Sequence, residues 1–234
     1  KNKMTDISPN QDKKLIIEVD GISYERIPIK THVVTPDDDI ADVAKKYASP
    51  HIKEGDIIFV SEKCTAASQK RAIPVEEIHP RKLAVTLSKY VTKTPIGIGL
   101  GMPVTMEMAI QEVGTPRILL AAVAGAVGRV FRRKGWFYVV AGRKAATIDG
   151  PADYVIPPYN GCVVLSPAEP DKTAKSISEK TGIEACIVDI NDFNGEVMGR
   201  SSTKIDKTFI IKALKDNPLG QTRQQTPMGL IRKA

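Results

Sequence analysis

The stretch Cys186–Gly199, CIVDINDFNGEVMG, changes abruptly from an apolar run to a polar one. Residues 185–189 predict a strand, because they form a short continuous apolar run that ends at an aspartate. The polar part has two interpretations: a solvated loop with Asx turns, or oxygen ligands gathered around a cation. Its oxygen-bearing side chains are those of Asp189, Asn191, Asp192, Asn194 and Glu196.

A helix and another strand are predicted upstream of this strand. Cys162–Leu165 is typical of a short strand, and Ser166–Glu169 has the Ser-x-x-Glu spacing of a capping box that starts a helix. Gly182 suits the end of that helix. Strand, helix and strand over 162–190 therefore predict a βαβ unit, which would place Asp189 at the carboxyl end of a parallel strand, where open sheets bind ligands.

The first third of the chain gives three more local predictions. Asp20-Gly21 lies between two strand-like runs and predicts a hairpin. Thr35 and Pro36, followed by three aspartates, predict a capped helix over 37–48, so the aspartates indicate a helix start rather than a metal site. Residues 57–60 predict a buried strand.

The rest of the chain is predicted to be mainly helical. Residues 80–90, 104–113 and 206–217 suit helices, while the Ala- and Gly-rich residues 117–131 are ambiguous. The run Trp136–Val140 predicts a strand, since it consists of aromatic and apolar residues.

Length and composition predict one soluble globular protein. The chain has 234 residues, of which 42% are hydrophobic and 26% charged. We divide it into a disordered tail (1–13), an α+β domain (14–203), and a C-terminal helix and tail (204–234) packed on the same domain or on a partner subunit. Residues 118–127 form the longest apolar run, which is far shorter than the roughly 20 residues that span a bilayer. A cytoplasmic protein with no membrane partner is the resulting prediction.

Basic residues cluster in one segment of a chain whose formal net charge is +7. The cluster is either a solvated face or a site for phosphate or another polyanion. A nucleic-acid partner is not predicted, because five Phe and one Trp offer little base stacking. The cluster consists of Arg129, Arg132, Arg133, Lys134, Arg143 and Lys144.

Cysteine and histidine give no sign of nucleophilic catalysis. The three cysteines are widely spaced without a CxxC pair, so we predict buried thiols. The three histidines form no recognisable constellation. Two acidic clusters, Asp149 with Asp153 and Asp189 with Asp192, could instead hold a hard cation, although turns are the simpler explanation of each.

An ordered set of short matches resembles the coenzyme F-420-0:L-glutamate ligase (gamma-glutamyl ligase) family over roughly residues 25–200. No single match is specific, and the order and spacing carry the resemblance. The matches are Ile27–Lys30, Asp37–Ile40, Gly55–Val60, Asp149-Gly150, Leu165–Asp171 and Val188–Gly199.

The resemblance implies an α+β fold with mixed sheets and two intertwined subdomains, assembled as a homodimer. Such ligases join glutamate to a deazaflavin precursor through a carbon–nitrogen bond. GTP drives the reaction, and Mg²⁺ or Mn²⁺ assists it. The implied partners are therefore a small-molecule substrate and a nucleotide.

The resemblance also suggests site residues, although it assigns no catalytic residue. The nucleotide would lie near Ile27, Pro28, Ile29 and Lys30. Lys63 and Ser68 are close to Ala66-Ala67, which stand where the family has a phosphate-binding Ser-Lys pair, and Arg132 is a candidate on charge alone. The metal would be held by Asp149 together with Asp189 or Asp192.

Three functions remain open on sequence alone. The leading one is an amide-forming ligase that depends on a nucleotide and a divalent metal. The second is a non-catalytic paralogue that binds a small anionic ligand or nucleotide through the basic cluster. The third is a purely structural dimer, suggested only by the unusual C-terminal residues 218–234.

Overall fold

The computed structural model describes residues 8–91, 99–191, 195–220 and 222–234, which divide into two compact units. Unit 1 combines the residues up to Gln69 with those from Pro167 onward, and unit 2 is Lys70–Ser166. Unit 2 is therefore an insertion in the sequence of unit 1. The described residues form helices, a mixed six-stranded sheet and a small two-stranded sheet, which confirms the predicted α+β class.

The elements are numbered in chain order. The strands are β1 (Ile16–Val19), β2 (Ile22–Ile29), β3 (Ile57–Ser61), β4 (Ala72–Pro74), β5 (Cys162–Val164), β6 (Glu184–Ile190), β7 (Gly195–Arg200) and β8 (Met228–Lys233). The helices are α1 (Ile40–Ala48), α2 (Glu62–Ser68), α3 (Lys82–Ser88), α4 (Pro103–Val113), α5 (Thr115–Val130), α6 (Trp136–Ala141), α7 (Arg143–Ala146), α8 (Pro170–Thr181) and α9 (Lys207–Ala213).

The six-stranded sheet of unit 1 has the order β1-β2-β8-β3-β6-β7. β1 and β2 form the predicted hairpin at Asp20-Gly21. β8 runs antiparallel to both β2 and β3, and β6 runs parallel to β3. As a consequence β2, β3 and β6 all point the same way, and their carboxyl ends lie at one edge of the sheet.

Apolar side chains cover both faces of this sheet, because alternate residues of a strand point to opposite faces. On one face Ile58 and Ile187 belong to a cluster with Ala44 of α1 and Ile177 of α8. On the other face Phe59 belongs to a cluster with Ile210 and Ala213 of α9. The helices thus fix the sheet on both sides and leave its edges to carry polar groups.

Two arginines, the fully buried Arg26 and the half-buried Arg232, connect distant parts of unit 1. Arg26 of β2 is fully buried and forms an ion pair with Asp216, just after α9. Arg232 of β8 donates from Nε and Nη2 to the carboxylate of buried Asp56, at 2.8 and 2.7 Å. That hydrogen-bonded carboxylate also raises the pKa of Arg232. A two-point contact of this kind fixes orientation as well as position, so it helps to hold β8 in the centre of the sheet.

In unit 2 one predicted strand is wrong and one ambiguous segment proves to be a helix. Residues 136–140 are not a strand but the start of α6, which packs against α5. The ambiguous residues 117–131 form helix α5. Its Gly125 and Gly128 allow close packing, because a Cβ added there would lie 3.1 Å from Phe137 Cβ and 3.1 Å from Trp136 Cγ, respectively.

The predicted βαβ unit at 162–190 is wrong as a crossover within one sheet. β5 pairs antiparallel with β4 in the small sheet, whereas β6 pairs with β3 in the large one. Asp189 nevertheless lies near the carboxyl end of a parallel strand, as predicted. The capping box is also wrong, because Glu169 occupies the cap position in a left-handed conformation and its side chain makes no capping bond.

Three smaller features concern the start of α1, the N-terminal segment and the thiols. α1 begins at Ile40 rather than residue 37, because the Asp39 side chain accepts hydrogen bonds from the Ala41 and Asp42 amides. Within the predicted tail, Asn10 donates to Pro218 O at 2.9 Å. All three cysteines are buried as predicted, and burial raises the pKa of the Cys186 thiol to about 12.

None of the described helices is by itself long and apolar enough to cross a membrane. Helices α4 and α5 reach that length and apolarity only when they are taken together, and they meet at a bend of 120°.

Candidate functional site

The candidate site is the edge of the large sheet at which β2, β3 and β6 end, called the carboxyl edge below. The pairing register aligns these ends, because Ile29 and Val60 both face Met228 of β8, and Val60 also faces Ile187 of β6. Beyond this row the strand ends carry polar side chains, although Val188 of β6 is still buried in the core. Polar groups from three strands are thus brought to one line.

Basic groups follow β2 and β3 along this edge. Lys30 is exposed directly after β2, while Ile27 and Ile29 are buried in the core and Pro28 is half-buried. Lys63 is exposed in the first turn of α2, whose cap is the Ser61 hydroxyl accepting from the Cys64 amide. Of the four predicted residues 27–30, only Lys30 therefore offers an exposed charged group to a ligand.

Acidic groups lie near the end of β6 and on the paired strand β7. Asp189 pairs directly with Glu196 of β7, so the two carboxylates leave the same face of the hairpin on adjacent strands. Residues in such a pair have Cβ atoms about 5 Å apart, and like charges placed opposite each other destabilise a sheet. Asn191 follows at the end of β6. This arrangement is the donor set that a hard cation would use.

Glu196 is the residue that sequence reasoning missed. It is one of the oxygen-bearing side chains of the polar run, but the metal ligands that the resemblance implies are Asp149, Asp189 and Asp192. The Asn194-Gly195 pair between two apolar runs is a hairpin signal that could have indicated the pairing. A hairpin at this pair predicts that residues on either side of it, such as Asp189 and Glu196, face each other.

Distances along the sheet limit what could bind there. Strands β2 and β6 are separated by β8 and β3, and adjacent strands lie about 4.8 Å apart, which gives about 14 Å. A single small ion cannot contact residues of both strands. An extended ligand can, if one of its ends is anionic and meets Lys30 or Lys63.

The remaining predicted residues are Asp149, Arg132, Asp192 and Ser68. Asp149 and Arg132 belong to unit 2, where Asp149 forms a β-bridge with Val164 and Arg132 is exposed after α5. Asp192 lies outside the described residues. Ser68 ends α2, and its hydroxyl donates to Thr65 O at 2.8 Å. Among the described residues, no three His, Cys, Asp or Glu side chains form a group that could hold a metal.

A cavity of about 440 Å³ in unit 1 also includes Ser68. Its charged groups are three carboxylates and one ammonium, so it suits an amine better than a phosphate. Its lining is Asp37, Asp38, Asp39, Ile40, Ala41, Ser68, Gln69, Lys172, Thr173 and Ser176.

One aspartate of this cavity is held in a hydrogen-bond network. The Thr35 amide and hydroxyl donate to Asp38 Oδ2 at 2.7 and 2.9 Å, and His32 Nε2 lies 3.0 Å from Asp38 Oδ1. The other ring nitrogen of His32 lies 3.0 Å from the Tyr47 hydroxyl. The hydrogen bond from the Thr35 amide is the largest cause that lowers the pKa of the Asp38 carboxyl below its ordinary value.

The lowered pKa of Asp38 predicts an acid-sensitive contribution to stability. A carboxyl whose pKa is lowered in the folded state stabilises the fold at pH values above its ordinary pKa of 3.8. This stabilisation is lost as the pH falls through the folded-state pKa. We expect Asp38→Asn to lower the free energy of unfolding by about 1 kcal/mol at neutral pH, and the difference to shrink as the pH falls below 3.8 and through the lowered folded-state pKa. Urea unfolding across this range measures it.

Asp37→Asn is the matched control, because Asp37 is the exposed neighbouring carboxylate of the same turn. A difference between Asp38→Asn and the wild type that stays constant from neutral to acid pH would contradict the assignment.

The fold is that of an α+β protein, and its carboxyl edge is a candidate site for a charged ligand. The family model of F420-0:gamma-glutamyl ligase matches residues 28–206, which is most of the chain. The chain therefore belongs to the F420-0:gamma-glutamyl ligase family, as the resemblance implied. A comparison with the curated proteins gave no match. The family match supports a gamma-glutamyl ligase-like function and binding of a small-molecule substrate.

Proposed function

We propose that this protein is a nucleotide- and divalent-metal-dependent ligase that forms a gamma-glutamyl amide, with its phosphate and metal site at the carboxyl edge. The observation that carries the proposal is the family match over 28–206, which includes β3, β6 and the last two residues of β2. The edge of these strands presents lysines at one end and carboxylates at the other. GTP is the expected nucleotide and Mg²⁺ or Mn²⁺ the expected metal, as the resemblance implies.

The reaction sets the demands on the site. A substrate carboxylate takes the terminal phosphoryl group, and nucleoside diphosphate leaves. The glutamate amine then attacks the acyl carbon, phosphate leaves, and the nitrogen loses a proton to give the amide. Such phosphoryl transfer depends mainly on positioning and on neutralising charge.

The residues of the edge fit these demands. Lys30 and Lys63 are exposed ammonium groups that can bind and orient phosphate oxygens. Asp189 and Glu196, with Asn191 beside them, supply the oxygen donors for a divalent cation. Mg²⁺ is usually held by one or two carboxylates and by substrate phosphates, so a pair of carboxylates is sufficient. The bound cation would neutralise charge on the transferring phosphoryl group.

Arg132 and Asp149 remain predictions for unit 2, the former for the nucleotide and the latter for the metal. The homodimer and the cytoplasmic location likewise remain predictions. Light scattering on the purified chain would measure directly whether it is a homodimer.

A second candidate function has one specific observation in its favour. Ala66 and Ala67, which stand at the family's Ser-Lys phosphate pair, are 0% and 2% exposed. Neither can contact a nucleotide, so the nucleotide would have lost two ligands. The alternative is a non-catalytic paralogue that binds a small anionic ligand or a nucleotide without metal.

Thermal unfolding separates the two functions. A ligand that binds the folded state raises the melting temperature. The ligase proposal expects GTP or ATP to raise it only when Mg²⁺ or Mn²⁺ is present. A metal-independent shift would favour the paralogue, and no shift with any combination of nucleotide and metal would contradict the ligase.

A further inference from the structure

The end of the α5–α6 hairpin in unit 2 is both apolar and basic. We call residues 129–136 the tip. Val130, Phe131 and Trp136 are 80%, 68% and 41% exposed there, although side chains of these types are usually buried. Arg129, Arg132, Arg133 and Lys134 are exposed beside them. Within the described part of the chain, none of these four basic residues forms an ion pair.

The charge of the whole protein is concentrated around this tip. No Asp or Glu occurs between Glu112 and Asp149, and this segment contains seven basic residues. That number equals the formal net charge of +7, so acidic and basic residues balance in the rest of the chain. An asymmetry of this size indicates an anionic partner.

We propose that the tip docks on the surface of an anionic lipid bilayer. Lipid phosphates attract the four basic side chains, and the interfacial region takes up Val130, Phe131 and Trp136. Trp is enriched at this depth of a bilayer, and arginine stems can lie along it with their guanidinium groups at the phosphates. The sequence predicted no membrane partner because it lacks a bilayer-spanning run, but that argument does not apply to docking on a surface.

Other binding partners would not match both the basic and the apolar side chains of the tip. A second copy in a symmetric contact would place the four cations against four others, which opposes association. Nucleic acid would satisfy the cations but would gain little from exposed Val130 and Phe131, since its backbone is charged and its grooves are polar. A bilayer with anionic headgroups satisfies both kinds of side chain.

Vesicle sedimentation of the full chain tests the proposal. We expect the protein to bind vesicles of phosphatidylcholine and phosphatidylglycerol in equal parts but not vesicles of phosphatidylcholine alone. Added salt should weaken the binding, because screening reduces attraction between exposed charges.

Variants locate the contact. Arg133→Glu with Lys134→Glu should lower vesicle partitioning by about tenfold or more. Phe131→Ser, which leaves the charge unchanged, should lower it as well. Lys53→Glu with Lys175→Glu is the control, because it makes the same charge change at exposed positions of unit 1 and should retain binding.

The proposal would be overturned by equal binding to both kinds of vesicle, by no binding to the anionic ones, or by an equal loss of vesicle binding in Lys53→Glu with Lys175→Glu. It would also be overturned if Phe131→Ser abolished self-association in light scattering. Tighter binding to duplex DNA or to an acidic polypeptide than to the anionic vesicles would also overturn it.

Discussion

Asp189→Asn is expected to lower metal-dependent nucleotide binding and ligase activity by at least about 100-fold, the loss typical of removing one preorganised charge-stabilising group. Asp189 lies near the end of β6 and faces Glu196 across the β6–β7 pair. Asparagine keeps the shape of the side chain but removes the negative charge that a divalent cation requires. Calorimetric titration of Mn²⁺ in the presence of a non-hydrolysable GTP analogue measures the effect on binding.

Glu18→Gln is the control for this variant. Glu18 is an exposed carboxylate on β1, at the opposite side of the same sheet, and the change likewise replaces an acid by its amide. It should leave Mn²⁺ binding unchanged. Wild-type Mn²⁺ affinity in Asp189→Asn, with an unchanged melting temperature, would remove Asp189 from the site.

Gly199→Ala should cause the largest loss of stability. A Cβ at this position of β7 would lie 2.3 Å from Pro170 C and 2.5 Å from Asp171 N. These are backbone atoms at the start of α8, so no side-chain rotation can relieve the clash. Asp171 also accepts a hydrogen bond from the Arg200 amide at 2.8 Å, which a displaced α8 would lose.

The expected loss in the free energy of unfolding is on the order of 3 kcal/mol, with a melting temperature lower by about 6–12 °C. Urea and thermal unfolding measure both quantities. Gly161→Ala is the control, because a Cβ there has no atom within 4 Å, and its effect should stay below about 0.5 kcal/mol. A similar small effect at Gly199 would mean that α8 does not approach β7 this closely.

The sequence predicted elements well where a local signal determines them. The Asp20-Gly21 hairpin and the strand that ends near Asp189 each follow from a few neighbouring residues. The predicted start of α1 at residue 37 is too early, because Thr35 is not its cap. Thr35 instead binds Asp38, and Asp39 caps the helix.

Elements decided by distant contacts were predicted less well. Residues 136–140 have the composition of a strand, but glycines of α5 let their aromatic side chains pack closely as helix α6. The partner of β5 is β4 rather than β6, and no pattern within 162–190 specifies that pairing. The position of β8 between β2 and β3 depends on pairing between the two ends of the chain, which local periodicity does not encode.

The candidate site, too, was predictable only where a local sequence signal determines it. The polar residues after β6 were recognised as possible ligands, and the parallel strand that carries them was expected. Their alignment with Lys30 and Lys63 was not predictable, because it depends on β8 joining β2 to β3. Glu196 was missed because its role depends on the register of one hairpin.

The most direct test of the proposed function is a crystal structure of the protein with Mn²⁺ and a non-hydrolysable GTP analogue, with the metal located by anomalous scattering. We predict a manganese peak bonded to the Asp189 carboxylate and the phosphates of the analogue at the carboxyl edge, on the side of Lys30 and Lys63. A metal without Asp189 as a ligand, or phosphates bound away from the ends of β2, β3 and β6, would contradict the account.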